Sequence, residues 1–459
     1  MATVTTTPAA ATRSFGPRQL ATLGGAMLGF FVVALDAQIV NVALPSIGSA
    51  LGGGLTSLQW VVTGYTLTFS ALILFAGTLS DRIGARKAYA AGMVVFAIAS
   101  ACCGLAPSIP TLVIARLVQG AGAALVTPTS LALIREGFDD VTQRTRAIGL
   151  WAVGGSVAAA AGPIVGGALT ALDWRLIFWV NIPVAVLALA FVSRTAPSPV
   201  RRAPFDLIGQ VTAVTALGAL SYVVIEGRTL GWTSPTALGL VALGLAVAVG
   251  FVVAQARRAH PMVPPAMFAS RTLRVALVIA FTSMAAFYSV VFVQSLYFQQ
   301  QRHATALVTG VLFLPMTGLV TVISSSSAAL VARFGQRNLI LAGLVIQCVG
   351  LLVIASLPAT ITVWGVALAM IPVGVGGALT VPPIASLVLE NAPGDLSGTA
   401  SGVLNTSRQL GGSLGVAAVG AVIGAHQVFM DGMRVGLIAT VVVLAATAVL
   451  STTLRPHQS

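Results

Sequence analysis

The 459-residue chain is 57% hydrophobic and only 8% charged, far below the roughly 25% charged residues of a soluble domain, so water cannot be the solvent for most of its surface. Its net charge of +13 gathers in no single tract but falls between long apolar runs, which excludes nucleic acid as a partner and points to a lipid bilayer. The three cysteines, Cys102, Cys103 and Cys348, lie inside apolar runs without disulfide or metal-ligand spacing, so no metal or other cofactor is expected.

In chain order, residues 1–18 are rich in Ala and Thr and read as a disordered cytoplasmic N-terminus. The run from Leu20 to Val42 is long enough to span and has no cleavage site after it, so it reads as the first helix and not as a removable signal peptide. Apolar runs of roughly 18–25 residues then predict fourteen spanning helices. Six lie near 19–43, 57–79, 88–106, 110–134, 147–170 and 176–193, two near 207–227 and 236–255, and six near 274–298, 308–331, 338–357, 361–388, 398–424 and 435–454. None shows the ten-residue alternation of barrel strands, so the fold class expected is an all-α membrane protein. With the N-terminus inside, eighteen of the 24 basic residues fall on the cytoplasmic side, among them Arg13, Arg82, Lys87, Arg144, Arg201, Arg202, Arg333 and Arg455. Only Arg175, Arg228, Arg302 and Arg434 fall outside. This asymmetry predicts a multi-pass protein of the cytoplasmic membrane with both termini cytoplasmic.

The spans and their connections carry several polar strings. The first span ends Leu35-Asp36-Ala-Gln38-Ile-Val-Asn41-Val-Ala-Leu-Pro45, and Asp36 is the one carboxylate well inside a span. Hydrocarbon disfavours a carboxylate's charged form, which makes Asp36 a candidate to bind and release a proton. The alternative is an Asp kept ionised by a structural Arg116. The loop after the second span reads Gly77-Thr-Leu-Ser-Asp81-Arg82-Ile-Gly84-Ala-Arg86-Lys87, a tight turn permitted by Gly84 and carrying an acid and three cations. The fourth span holds Arg116-Leu-Val-Gln119-Gly120, and a guanidinium in an apolar helix is functional by default because burying it is costly. In the fifth, positions 154, 158, 162 and 166 are Gly or Ala, a smooth face for close packing. They run into Gly162-Pro163-Ile-Val-Gly166-Gly167, where the proline can bend the helix. The sixth carries Asn181, and the thirteenth holds Asn405-Thr-Ser-Arg408-Gln409, with Arg408 at central depth and expected to face an interior cavity.

Gly120–Pro128 matches Gly374–Pro382, and Arg82–Arg86 matches Arg333–Arg337. Spans one to six therefore correspond to spans nine to fourteen. The expected organisation is an N-terminal six-helix bundle at 19–195, two inserted helices at 205–256, and a C-terminal six-helix bundle at 270–455, with a substrate site between the bundles. In order and spacing these strings resemble the signatures of the major facilitator superfamily, and within it the 14-helix drug:proton antiporter branch.

That resemblance implies a proton-coupled antiporter exporting drug-like or antibiotic small molecules by alternating access. Asp36 and Arg116 would couple protons, and Gly77, Asp81, Arg82, Gly84 and Arg86 would form a conformational latch. Gly162, Pro163, Gly166 and Gly167 would be the antiporter signature. Candidate cavity residues are Gln38, Asn41, Gln119, Asn181, Phe287, Tyr288, Phe292 and Arg408. The second-half loop has Ala332 where the latch acid would stand, and the tenth span lacks a buried acid. The interior charges Asp36, Arg116 and Arg408 sum to +1, which weakens a purely cationic substrate and leaves neutral or anionic compounds open. No nucleophile–base constellation or nucleotide loop suggests an enzyme. The partners expected are a small-molecule substrate, protons and the bilayer, with the protein a monomer. A proton-coupled carrier of a nutrient or primary metabolite on the same fold is the alternative.

Overall fold

With no water in hydrocarbon to satisfy N–H and C=O groups, a spanning chain must close its hydrogen bonds within each segment, and the regular elements here are helices. The computed structural model describes residues 15–200, 206–258, 261–358, 360–392 and 396–454. The tail at 1–14, and Arg13, Arg201, Arg202 and Arg455, lie outside the described residues. In order the helices are α1 (Pro17–Leu51), α2 (Leu55–Ile83), α3 (Ala85–Gly104), α4 (Ile109–Gly137), α5 (Val141–Leu172), α6 (Leu176–Trp179), α7 (Asn181–Val192), α8 (Leu207–Leu230) and α9 (Pro235–Arg257). They continue with α10 (Arg271–Leu296), α11 (Ala306–Leu312), α12 (Leu314–Ser325), α13 (Ser327–Phe334), α14 (Gln336–Ser356), α15 (Val363–Ala369), α16 (Ile371–Asn391), α17 (Ser397–Ala425) and α18 (Phe429–Ser451).

Among the described residues twelve helices are long and apolar enough to cross a membrane. This corrects the expected fourteen-helix arrangement of two six-helix bundles plus an inserted pair. Two of the expected spans fall short of that criterion. The run at 176–193 is broken at Val180 into the four residues of α6 and the twelve of α7. Pro183 lies in the first turn of α7, where it removes an N–H and crowds the carbonyl of Trp179. The run at 398–424 forms one long helix, α17, but Asn405, Thr406, Ser407, Arg408 and Gln409 set a polar stretch into its middle.

The sequence repeat survives as repeated packing. α3 lies along α4 and α14 along α16, α1 along α5 and α10 along α17. A Cβ at Gly92 would stand 3.0 Å from the Gly122 carbonyl oxygen, and one at the matching Gly343 would stand 2.6 Å from the Gly376 carbonyl oxygen. Small residues let both backbone pairs meet at this range, where dispersion contacts are closest. The loops match as well. Arg86 donates to the Ser193 carbonyl at 2.6 Å, and Arg337 donates to the Thr452 carbonyl at 2.7 Å. Gly84 and Gly335 turn these loops with φ of +85° and +78°.

Contacts between the repeats run α1 to α10, α2 to α17, and α5 to α11 and α12, while α8 packs on α9 and against both α2 and α17. Hydrogen bonds tie the repeats together at the end where α1 meets α2. Ser295 donates to the Asn41 carbonyl at 2.5 Å, Gln299 to the Val42 carbonyl at 2.8 Å, and Gln59 to the Ala417 carbonyl at 2.8 Å. Nearer the opposite end, Thr406 of α17 donates to the Ser70 carbonyl of α2 at 3.3 Å. Along α17, Gly411–Ser413 and Gly415–Ala417 are buried while Asn405–Leu410 are half-buried.

Candidate functional site

Asp36 lies in the middle of α1 with none of its surface exposed, and Arg116 of α4 is 1% exposed. Arg116 Nη1 donates to Asp36 Oδ2 at 2.5 Å. Moving either ion out of water costs several kcal/mol, which is recovered only when each has further partners, and both do. Asp36 Oδ1 accepts from Gln119 Nε2 at 2.9 Å and from Asn181 Nδ2 at 2.8 Å. Arg116 Nη1 also donates to Gln119 Oε1 at 2.8 Å, and its Nε donates to the Val61 carbonyl at 3.1 Å. The guanidinium carbon lies 4.2 Å from the centroid of the Tyr65 ring, whose face attracts a cation.

Local sequence explains the assembly. Arg116 and Gln119 are three residues apart on α4, hence on one face. Asn181 is the first residue of α7, so the break at Val180 sets its amide beside Asp36. Ser100 of α3 accepts from Asn181 Nδ2 at 3.0 Å and donates to the Phe178 carbonyl at 2.8 Å. Side chains of α4 and α7 thus bind the one carboxylate of α1, and groups of α2, α3 and α6 hold those side chains in turn. Ser100 and the Val61 carbonyl had no signal in the sequence, since one serine in an apolar helix is ordinary and a carbonyl is invisible there.

The other candidate residues are spread more widely. Gln119 and Asn181 turn to Asp36. Gln38 is buried, with its Cβ 2.6 Å from where a Cβ on Gly162 would stand. Asn41 donates back to the Ala37 carbonyl at 3.1 Å, and its side-chain oxygen is buried without a partner. Phe292 is wholly buried in the apolar core. Phe287 and Tyr288 are half-buried and meet edge to face, 5.6 Å apart. Arg408 reaches Asn405 Oδ1 at 3.4 Å.

On α5, Gly162 and Gly166 seat the helix on α1, where a Cβ at Gly166 would lie 2.8 Å from the Ile39 carbonyl oxygen. Pro163 leaves α5 a single helix, and Gly167 faces α11, with Leu307 Cα 2.9 Å from its Cβ position. The string expected as a loop is helical except at Gly84: Gly77, Asp81 and Arg82 belong to the last turns of α2, Gly77 bordering open space and Asp81 and Arg82 exposed, while Arg86 of α3 binds Ser193 and, through its backbone N–H, Ser198 Oγ at 2.9 Å. Gly84→Ala is expected to destabilise the protein by about 1–3 kcal/mol, because its φ of +85° with ψ of 139° belongs to glycine. Thermal unfolding of the purified protein reads this loss.

The family described as Major Facilitator Superfamily matches residues 26–416. The chain belongs to the major facilitator superfamily. Relatives within it include resistance and efflux proteins. The chain is 38% identical over 418 residues to the multidrug resistance protein Stp of Mycobacterium tuberculosis, covering 89% of this chain and 76% of Stp. It is 35% identical to the methylenomycin A resistance protein of Streptomyces coelicolor, covering 90% and 87%. An auto-inhibited peptide transporter of the POT family shares the fold, with a TM-score of 0.71 at 14% identity over 96% of this chain and 99% of that one. This member of the superfamily is therefore a multi-pass secondary transporter of its multidrug and antibiotic resistance branch, and not an enzyme.

Proposed function

We propose that the protein exports drug-like or antibiotic small molecules across the cytoplasmic membrane in exchange for protons, with Asp36 as the proton site. The observation that carries this reading is the Asp36–Arg116 pair, wholly enclosed in the interior of the first repeat. A proton arriving on Asp36 cancels one charge of the pair. Arg116 keeps the Gln119 oxygen, the Val61 carbonyl and the Tyr65 face, so the guanidinium remains solvated by protein when its counter-ion is neutralised. Protonation then changes how α1 is held to α4 and α7 without stranding a charge. A ligand shifts an equilibrium only by its differential affinity for the two states, and that change in bonding supplies the difference. The end closed by Ser295, Gln299 and Gln59 would open as the other end shuts. Arg82, Arg86, Lys87, Arg135, Arg144 and Arg146 gather at that other end, which supports placing it, and both termini, in the cytoplasm.

The test is transport by everted vesicles of a panel of chemically distinct antibiotics and dyes. Acidification of the lumen is expected to drive uptake of at least one of them, and a protonophore to abolish it. Uptake driven equally well without a pH gradient overturns proton exchange. Proton-driven movement of sugars or amino acids, with none of the drug panel, would make the protein a metabolite carrier.

A further inference from the structure

Arg408 is left over by the pair that accounts for Asp36 and Arg116. It sits near the middle of α17, the helix of the second repeat that packs against α2 of the first. A guanidinium is charged at every physiological pH, and a charge at this depth is normally paired. No described carboxylate lies within ion-pairing distance. Asp36 is taken by Arg116, and Asp206, at the start of α8, by Arg258. Asp81, Glu136, Asp139, Asp140, Asp173, Glu226, Glu390 and Asp431 stand at helix ends or in loops. What Arg408 does have is one long hydrogen bond, 3.4 Å to Asn405, while its Nε is buried without a partner. The residue is half-buried, within the half-buried stretch Asn405–Leu410 of α17.

Its surroundings are built to receive a solute. One turn further along α17, Gly412 lets Tyr288 come close, its ring carbon 2.8 Å from where a Cβ would stand. Phe287 meets Tyr288 edge to face. The site thus offers a cation with unused donors beside aromatic surface.

We propose that Arg408 docks an anionic group of the transported compound, and that the exported compounds include organic acids with an apolar body resting against Phe287 and Tyr288. This rests on the reading of the protein as an exporter of small molecules. A planar guanidinium fork matches a carboxylate in two parallel hydrogen bonds. Held on the second repeat, the anion is kept apart from the Asp36 carboxylate of the first, which it would otherwise repel. The proton and the substrate are then sensed on different repeats.

The full chain in phosphatidylcholine nanodiscs, in a chloride-free gluconate buffer, would be titrated with aromatic carboxylates of increasing size and with their neutral amides. Binding is read from tryptophan fluorescence without any gradient, so the result does not depend on whether transport is proton-driven. At least one carboxylate is expected to bind about tenfold or more tightly than its amide. Arg408→Gln is expected to erase that preference while shifting the amide far less, and Arg408→Lys to restore part of it. The absence of any carboxylate preference in the wild type overturns the proposal, as does a preference that Arg408→Gln leaves intact. A parallel series with phosphatidylglycerol separates the sources of the anion. Carboxylate binding that persists there is expected, whereas carboxylate binding abolished by the anionic lipid assigns Arg408 to a headgroup and overturns the proposal.

Discussion

Asp36→Asn is expected to leave the protein unable to turn a pH gradient into transport, with uptake into everted vesicles no higher than in membranes lacking the protein. The replacement keeps the shape of the side chain and removes the group that can take up a proton. It also damages the site. The carboxylate accepts from Arg116, Gln119 and Asn181, and an amide nitrogen in place of either oxygen sets a donor against a donor. Removing one partner of a buried ion pair costs roughly 3–5 kcal/mol, because the other charge is left uncompensated, so thermal unfolding should move down as well. A double variant, Asp36→Asn with Arg116→Gln, separates coupling from folding. With no stranded guanidinium it should recover most of the lost stability and none of the gradient-driven transport. Gradient-driven transport that persists in the single variant places the proton site elsewhere and leaves the pair a structural one.

The sequence made this centre legible because charge inside hydrocarbon is rare enough to be informative. Asp36 and Arg116 stand out from apolar neighbours, and Gln119 follows from helical spacing. Asn181 was visible as a polar residue, but not its bond to Asp36, which depends on the break at Val180. The same break explains part of the miscounted spans. An apolar run registers composition over a window and is blind to a helix that stops and restarts inside it, while in α17 the window is diluted by Asn405–Gln409. The small-residue face of α5 was readable as a packing surface. That its glycines Gly154, Gly162 and Gly166 meet α1, while Gly167 beside them meets α11, was not, since periodicity describes one helix and says nothing of which neighbour it meets. The bond from the Trp60 indole to Glu226 at 2.9 Å, and that from Gln210 of α8 to the Ala71 carbonyl at 2.8 Å, join α8 to α2 at two levels. Neither had a local signature, because each depends on tertiary placement alone.

Gly310→Val is expected to stop transport by acting on one conformation only. Gly310 of α11 faces the Pro163 carbonyl of α5, and a Cβ there would also lie 3.2 Å from Ile164 Cα. Gly167 returns the contact, its own Cβ position lying 2.5 Å from the Ala306 carbonyl oxygen. Both partners are backbone, so a valine cannot be accommodated by rotating a neighbouring side chain, and the helices must part. Overpacking of this kind costs about 1–3 kcal/mol. If α5 and α11 meet only while the α1–α2 end is shut, the cost falls on the shut state alone and shifts the equilibrium by about 5- to 150-fold towards states open there. Val42 reports the shift, since it is fully buried in the shut conformation and its carbonyl accepts from Gln299. In a background with Cys102, Cys103 and Cys348 replaced, Val42→Cys should be protected from a membrane-impermeant maleimide applied at that end and become reactive once Gly310→Val is added. Continued protection, with transport intact, would mean that α5 and α11 stay together throughout the cycle and that the repeats part along α1–α10 and α2–α17 instead.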